Sequence, residues 1–600
     1  MRRRSFLVLS PLLLAGAFSA CSGTSFETES YAPPPPLPIP GAAQPTFTKI
    51  VSAETPPPPI SGGTLAVARD GRTVIASDPD RDRVYVVDVP SRTVKHSLKL
   101  AAGSEPGRVA VDVHGKAHVA LRSAGKVATI DLATGTVAER SVCIAPRGIA
   151  YDATADTIHV ACAEGVLVST PLDGRAERRV KLDVDLRDVV VTKSKIYVSR
   201  FRAADVVALS RDGVLESKAQ TRGGNLGWRM IAAPPEDPTQ DPPDEEPAIV
   251  SQDPQNPSGT VPQGYYGSPA TDGCAAPTIT SARLDLPGRA DSILVPPAVL
   301  PVDLATNGRE YAIVAAGNGH TPSLPQVFVY DAARGPQKPQ PGTFGRNPDC
   351  TAMLKASLPG QAIAAAFDGS DQLLVQSREP AALYLMSPDR VHVWKEIPLS
   401  DESREDTGHA IFHSNSGGFL ACASCHAEGG EDGRTWLFLE GQRRTPSMRG
   451  TLSEKGPFHW DGSLVDIEHL VDFVFVTRMS GPALEKPYVE TLKKYLFRMP
   501  APPRIEGPLA EVERGGKLFR ERCESCHGGA VLTNSTTRDV GTGGTFKVPS
   551  LVGIRWRAPF LHNGCAQTLK DRFGSCGGEQ HGGTFTEAEV SDLVSYLESL

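Results

Sequence analysis

Ala421-Cys422-Ala423-Ser424-Cys425-His426 returns 101 positions later as Cys523-Glu524-Ser525-Cys526-His527. Two cysteines separated by two residues and followed at once by histidine can take both vinyl groups of a haem as thioethers while the histidine ligates its iron. A single copy would also suit half of a zinc site; two copies inside a longer match favour haem. Pro446-Ser447-Met448-Arg449-Gly450 aligns with Pro549-Ser550-Leu551-Val552-Gly553, and Pro457-Phe458-His459-Trp460-Asp461-Gly462 with Pro559-Phe560-Leu561-His562-Asn563-Gly564. Tyr495-Leu496 aligns with Tyr596-Leu597. The C-terminal third is thus an internal duplication that calls for two covalently bound haem c groups.

Each half predicts a small helical wrapper, 401–505 and 506–600. In the second, 509–522 is expected to be a helix that carries Leu518-Phe519 toward the haem. The last helix opens on the capping box Thr586-Glu587-Ala588-Glu589 and shows Val590, Leu593, Val594, Leu597 and Leu600 on one face. Tyr488 to Phe497 is its counterpart in the first half.

Upstream, from 61 to 400, short β-branched runs alternate with Asp-Gly, Thr-Gly and Pro. Arg108-Val109-Ala110-Val111-Asp112, Arg147-Gly148-Ile149-Ala150-Tyr151-Asp152 and Arg187-Asp188-Val189-Val190-Val191 open units 39 and 40 residues apart. A period near 40 with about four strands per unit predicts β-propeller blades, because one small sheet cannot cover both its faces and must stack on neighbours in a ring. The units resemble the YVTN-type propellers of exported bacterial proteins. About seven blades are expected, with 218–290, rich in proline, aspartate and glutamine, as an irregular excursion from the ring. His96, His114, His118, His159 and His320 are scattered and read as solvated or core residues, so the propeller is expected to be a docking or scaffolding surface.

The chain has 600 residues, a net charge of −7 and no basic run beyond its first residues, which excludes nucleic acid as an expected partner. Arg2-Arg3-Arg4, the apolar run from Phe6 to Phe18 and Ser19-Ala20-Cys21 read as an export signal over 1–20. Its end resembles a lipobox, in which Cys21 becomes the lipidated first residue; an ordinary cleaved signal is the alternative. Ser22 lacks the aspartate associated with inner-membrane retention, so a lipid anchor in the outer membrane, facing periplasm or cell surface, is expected. Residues 21–60, with two Pro-Pro-Pro-Pro runs, predict an extended tether. Six of the eleven cysteines lie outside Cys21 and the haem motifs. In an oxidising compartment they suit three disulfides, with nearest neighbours the simplest pairing: Cys143 with Cys162, Cys274 with Cys350, Cys565 with Cys576. A free-thiol core remains open for the first pair.

Residues 401–600 resemble the di-haem cytochrome c peroxidase family, which includes the enzyme that oxidises tryptophans in methylamine dehydrogenase. The attachment sites, Phe458-His459-Trp460-Asp461-Gly462 and Phe546-Lys547-Val548-Pro549-Ser550-Leu551 carry the resemblance. It implies that one haem reacts with hydrogen peroxide, that the other collects electrons from a redox partner, and that Trp460 lies between them. It also implies that His562 hydrogen-bonds a haem propionate. Where the family has an acid–base glutamate before a Met-Gly pair, this chain has Arg478-Met479-Ser480, and arginine cannot shuttle a proton at ordinary pH, though it can polarise a bound peroxide. Where the family has an axial methionine for the second haem, this chain has His581, expected to ligate that iron and lower its potential. Met479, His459, His469 and an open position are the alternatives for the distal side of the first haem. The family's interdomain calcium is placed in doubt because Arg557 replaces a threonine near it. His409 and His413 have no assigned role.

The expected whole is a multidomain oxidoreductase: an all-β propeller followed by two mainly α-helical cytochrome c domains. Electrons would pass through the second haem and Trp460 to the first. Two alternatives are a non-catalytic electron-transfer lipoprotein whose propeller docks a redox partner, and a haem enzyme that oxidises a partner protein.

Overall fold

The computed structural model describes residues 43–222, 224–234, 244–254, 279–334, 353–452, 456–577 and 581–600. The leader with Cys21, the first part of the tether, Cys274 and Cys350 lie outside the described residues.

Seven four-stranded antiparallel sheets follow one another in sequence order, spanning 65–99, 106–141, 146–181, 186–220, 226–294, 301–356 and 362–398. In blades one to four and seven the fourth strand is largely exposed; Leu215–Gln220, the outer strand of blade four, is exposed at every position. The hydrophobic cores lie between blades. Ile158, Val160 and Cys162 of blade three, for instance, pack on Ala110, Ala120 and Val127 of blade two. This follows from the alternation of the strands, which makes both faces of each sheet apolar and leaves burial to the neighbours.

The expected excursion over 218–290 is corrected. It contains three strands of blade five, Leu226–Ala233, Glu246–Pro254 and Thr280–Asp285. Long connections between these strands break the 40-residue period and hide the blade from a repeat search. His118 and His159 serve structure: each accepts or donates within a blade, between Asp112 and Thr129 in one (3.1 and 3.0 Å) and near Asp152 and Ser169 in the next (3.7 and 2.8 Å).

Among the described residues, no strand is exchanged to close the ring. Blade one packs its apolar face on blade seven, and a polar clasp joins them: Arg378 Nε to Asp80 (2.7 Å), Arg81 to Glu379 (2.7 Å) and Gln376 Nε2 to the Ser77 carbonyl (2.8 Å). Residues 43–60 are not a free tether. The Val51 and Thr407 backbones and the Thr407 hydroxyl hydrogen-bond one another, Lys49 pairs with Glu405 (2.9 Å), and Tyr488 donates to the Phe47 carbonyl (3.0 Å). Cys143 is bonded to Cys162 and Cys565 to Cys576.

The remainder is mainly helical. The first domain holds α1 (Thr407–His413), α2 (Cys422–Cys425), α3 (Ile467–Leu470) running into a π-helix (Val471–Arg478), and α4 (Lys486–Phe497). The second holds α5 (Leu509–Arg522), α6 (Glu524–His527), α7 (Leu569–Arg572) and α8 (Glu587–Glu598), the last capped by Thr586 and Glu589 as its sequence requires. Among the described residues, no helix is long and apolar enough to cross a membrane.

Candidate functional site

The duplication is exact enough to be read atom by atom. In each half the first and last helices cross at a glycine: a Cβ on Gly408 would stand 2.3 Å from the Thr491 carbonyl oxygen, and one on Gly515 would stand 2.0 Å from that of Asp592. Four residues on, Phe412 meets Tyr495 (centroids 5.7 Å) and Phe519 meets Tyr596 (5.1 Å). This crossing delivers the chain into the cysteine motifs from the same direction twice. Cys422, Cys425, Cys523 and Cys526 remain free thiols, whereas Cys143, Cys162, Cys565 and Cys576 form disulfides.

His426 and His527 fit the proximal role. Burial pushes each down to about 4, so both are neutral at pH 7, the form that ligates a metal. The carbonyls of Pro446 and Pro549 lie close enough to favour the protonated ring, yet neither Nδ1 closes a hydrogen bond of good geometry. His581 faces His527 with ring centroids 6.2 Å apart and planes 27° from parallel, and burial pushes it down to about 3. Two imidazoles sharing one metal ion from opposite sides stand about 6 Å apart, given metal–nitrogen bonds of about 2.0 Å. The free thiols, neutral histidines and this gap fit covalent haem c.

The two halves meet through a reciprocal exchange. The hairpin Thr435–Phe438/Gly441–Arg444 of the first has its counterpart in Thr537–Asp539/Thr545–Lys547 of the second. The Arg444 N–H donates to the His562 carbonyl and the Lys547 N–H to the Trp460 carbonyl, both at 2.7 Å. Trp460 and His562 occupy equivalent positions and face each other edge to face at 6.3 Å. Trp460 Nε1 donates to the Arg444 carbonyl (2.7 Å), which locks the indole in the seam. His562 stacks on Phe546 (3.9 Å) and is pushed down to about 4 by burial.

A cleft of about 270 Å³, open to solvent on one side, adjoins His426 and is lined also by His459, Trp460, Phe473, Arg478 and Lys547. Arg478 lies over the Phe473 ring (4.5 Å) and pairs with Glu440 (3.0 Å). His459 is pushed down to about 4, first by burial and then by Arg478. The other candidates for this side are placed elsewhere. Met479 is buried in the core, away from the cleft lining, and its N–H closes the π-turn on Val474 (2.9 Å). His469 is exposed and paired with Asp466 (2.7 Å). Arg557, which stands where the resembled family has a threonine near its calcium, donates from its guanidinium to the Ser550 carbonyl (2.6 Å) and faces Glu431 (3.5 Å).

One residue escaped sequence reasoning. Glu428, two positions after His426, sends its buried carboxylate to the centre of the propeller, where Arg187 (2.5 Å), Arg147 (2.9 Å) and Arg122 (3.2 Å) hold it. Arg147 and Arg187 are the residues that open the sequence repeats of blades three and four. The usable signal was the duplication, which sets Glu428 opposite Gly529.

The family model described as "Cytochrome C oxidase, cbb3-type, subunit III" matches residues 510–597. No curated protein matches the chain. Among solved structures, the chain is similar to a streptogramin B lyase (9% identity over 54% of this chain and 92% of that one, TM-score 0.35). It is also similar to Kuenenia stuttgartiensis hydrazine synthase (23%, 30% and 81%, 0.27) and to virginiamycin B lyase from Staphylococcus aureus (10%, 57% and 86%, 0.29). The chain is therefore a seven-bladed β-propeller followed by a mainly helical region that includes a cytochrome c domain, a unit that carries covalent haem c and transfers electrons.

Proposed function

We propose that the chain is an exported di-haem c-type oxidoreductase. It takes electrons from a redox partner at the second domain and passes them by Trp460 to the first, where hydrogen peroxide is reduced. The observation that supports this reading best is Trp460, hydrogen-bonded into the seam between two duplicate domains while lining the cleft beside His426. Cys422, Cys425 and His426 would hold one haem, and Cys523, Cys526, His527 and His581 the other. Haem supplies one-electron chemistry and, where a position is open, peroxide activation. Arg478 supplies a fixed positive charge to orient and polarise peroxide in the cleft. His459, neutral and beside it, is the group placed to move a proton where the resembled family uses glutamate. Export and an outer-membrane lipid anchor on Cys21 belong to the same proposal.

A second reading is favoured by His459 itself. It lines the same cleft as His426, and as a second protein ligand to a haem held there it would make the protein a closed electron wire. Low-temperature EPR of the oxidised and half-reduced protein, with and without peroxide, separates the two. A high-spin signal lost on adding peroxide, together with turnover, supports the peroxidase; two low-spin signals indifferent to peroxide support the wire. Replacing His581 by methionine is expected to raise the second midpoint potential while keeping that haem low-spin. A low-spin second haem in His581→Ala would remove this residue from the ligand set.

A further inference from the structure

Glu428 has a backbone φ of 52°, in the left-handed region, and its equivalent in the second domain is Gly529 with φ 83°. The turn after each attachment histidine therefore favours glycine, and placing glutamate there costs backbone strain. What glutamate brings and glycine lacks is a carboxylate, and all of it is used: one oxygen meets Arg122 and Arg187, the other Arg147, from three successive blades. Blade five adds a hydrogen bond from Gln252 Nε2 to the carbonyl of Ser424, inside the Cys-x-x-Cys turn (2.6 Å), and Asn225 Nδ2 lies 3.3 Å from the Asp432 carbonyl.

We propose that the propeller is part of the first haem site. Glu428 and its three arginines are positioning residues that fix the loop bearing His426, and the net positive charge of their cluster raises the potential of that haem. The proposal rests on the reading that His426 ligates a haem. Three guanidinium groups face two carboxylates, Glu428 and Glu105, the latter held by Arg122 at 3.2 Å. The surplus positive charge disfavours the more positive, oxidised iron, and burial leaves that effect little screened. With an imidazole pair lowering the second potential, the cluster gives electrons a downhill path from the second domain to the first.

The test is a spectroelectrochemical titration of both haems in full-length holoprotein. Glu428→Gln and Glu105→Gln are expected to raise the first midpoint potential and Arg187→Gln to lower it, with the second unchanged. Opposite signs are the mark of an electrostatic role, because variants that merely loosened the loop would shift the potential the same way. Glu105→Gln leaves the loop residue intact and carries the test if Glu428→Gln does not accumulate. No shift, or shifts of one sign in all variants, overturns the proposal. Mass spectrometry of the same samples keeps the two claims apart: a protein with one haem, at the second site, overturns the two-haem reading and the proposal with it.

Discussion

Trp460 spends its only polar atom on the Arg444 carbonyl and lines the cleft, so on the electron path proposed above substitution acts on electron passage more than on folding. Trp460→Phe keeps an aromatic ring but lacks the hydrogen bond and the easily oxidised indole. Transfer between the two haems, followed by stopped-flow reduction through the second, is expected to slow at least tenfold, with both spectra intact. Asp432 makes a different prediction. Burial pushes its carboxyl up to about 6, although Trp436 Nε1 (3.0 Å) and the Arg434 N–H (2.9 Å) donate to it. A raised acid stabilises the fold fully below its unfolded pKa and loses that contribution as pH rises through about 6. Asp432→Asn removes the titration, so the variant is expected to gain on the wild type between pH 4.5 and 7.5, by on the order of 2 kcal/mol; thermal melts at the two pH values measure it. The attachment residues were legible in sequence because covalent chemistry fixes their spacing. Met479, one of the four alternatives for the distal side of the first haem, is buried outside the cleft lining at the end of a π-helix. Glu428 was invisible because a lone acid in a loop has no pattern until its arginines are brought from some 240 to 306 residues away.

At the scale of elements, the two helix crossings leave no room for a side chain. Gly408→Ala and Gly515→Ala each drive a methyl group into a carbonyl of the crossing helix, and with backbone on both sides neither can yield by side-chain rotation. Each is expected to cost at least 2 kcal/mol, read as a lower melting temperature of the haem absorbance. The helices themselves could be placed from sequence, α5 to the residue and α8 from its capping box, because local signals suffice for them. Blade five could not, since a strand pair is defined by its partner and its partners are separated by long connections.

For the whole molecule, among the described residues the ring closes without a shared strand, through the apolar contact, the polar clasp and the Gly369–Gly71 backbone hydrogen bond (2.9 Å) of blades one and seven. Arg378 also donates to the Arg404 carbonyl (3.1 Å), tying the clasp to the start of the first helical domain. Arg378→Gln strands the buried Asp80 and is expected to cost about 3 kcal/mol, with denaturant unfolding of the propeller shifting to lower concentration. Glu428 gathers Arg122, Arg147 and Arg187 from blades two, three and four of that ring. The reciprocal hydrogen bonds between the two helical domains carry a consequence for their history. A surface that pairs reciprocally with its own duplicate is also able to pair with itself, so the seam beside Trp460 is the kind of contact a homodimer of single domains would have. Fusion into one chain then secures by covalent linkage a partnership that mass action would otherwise leave to concentration.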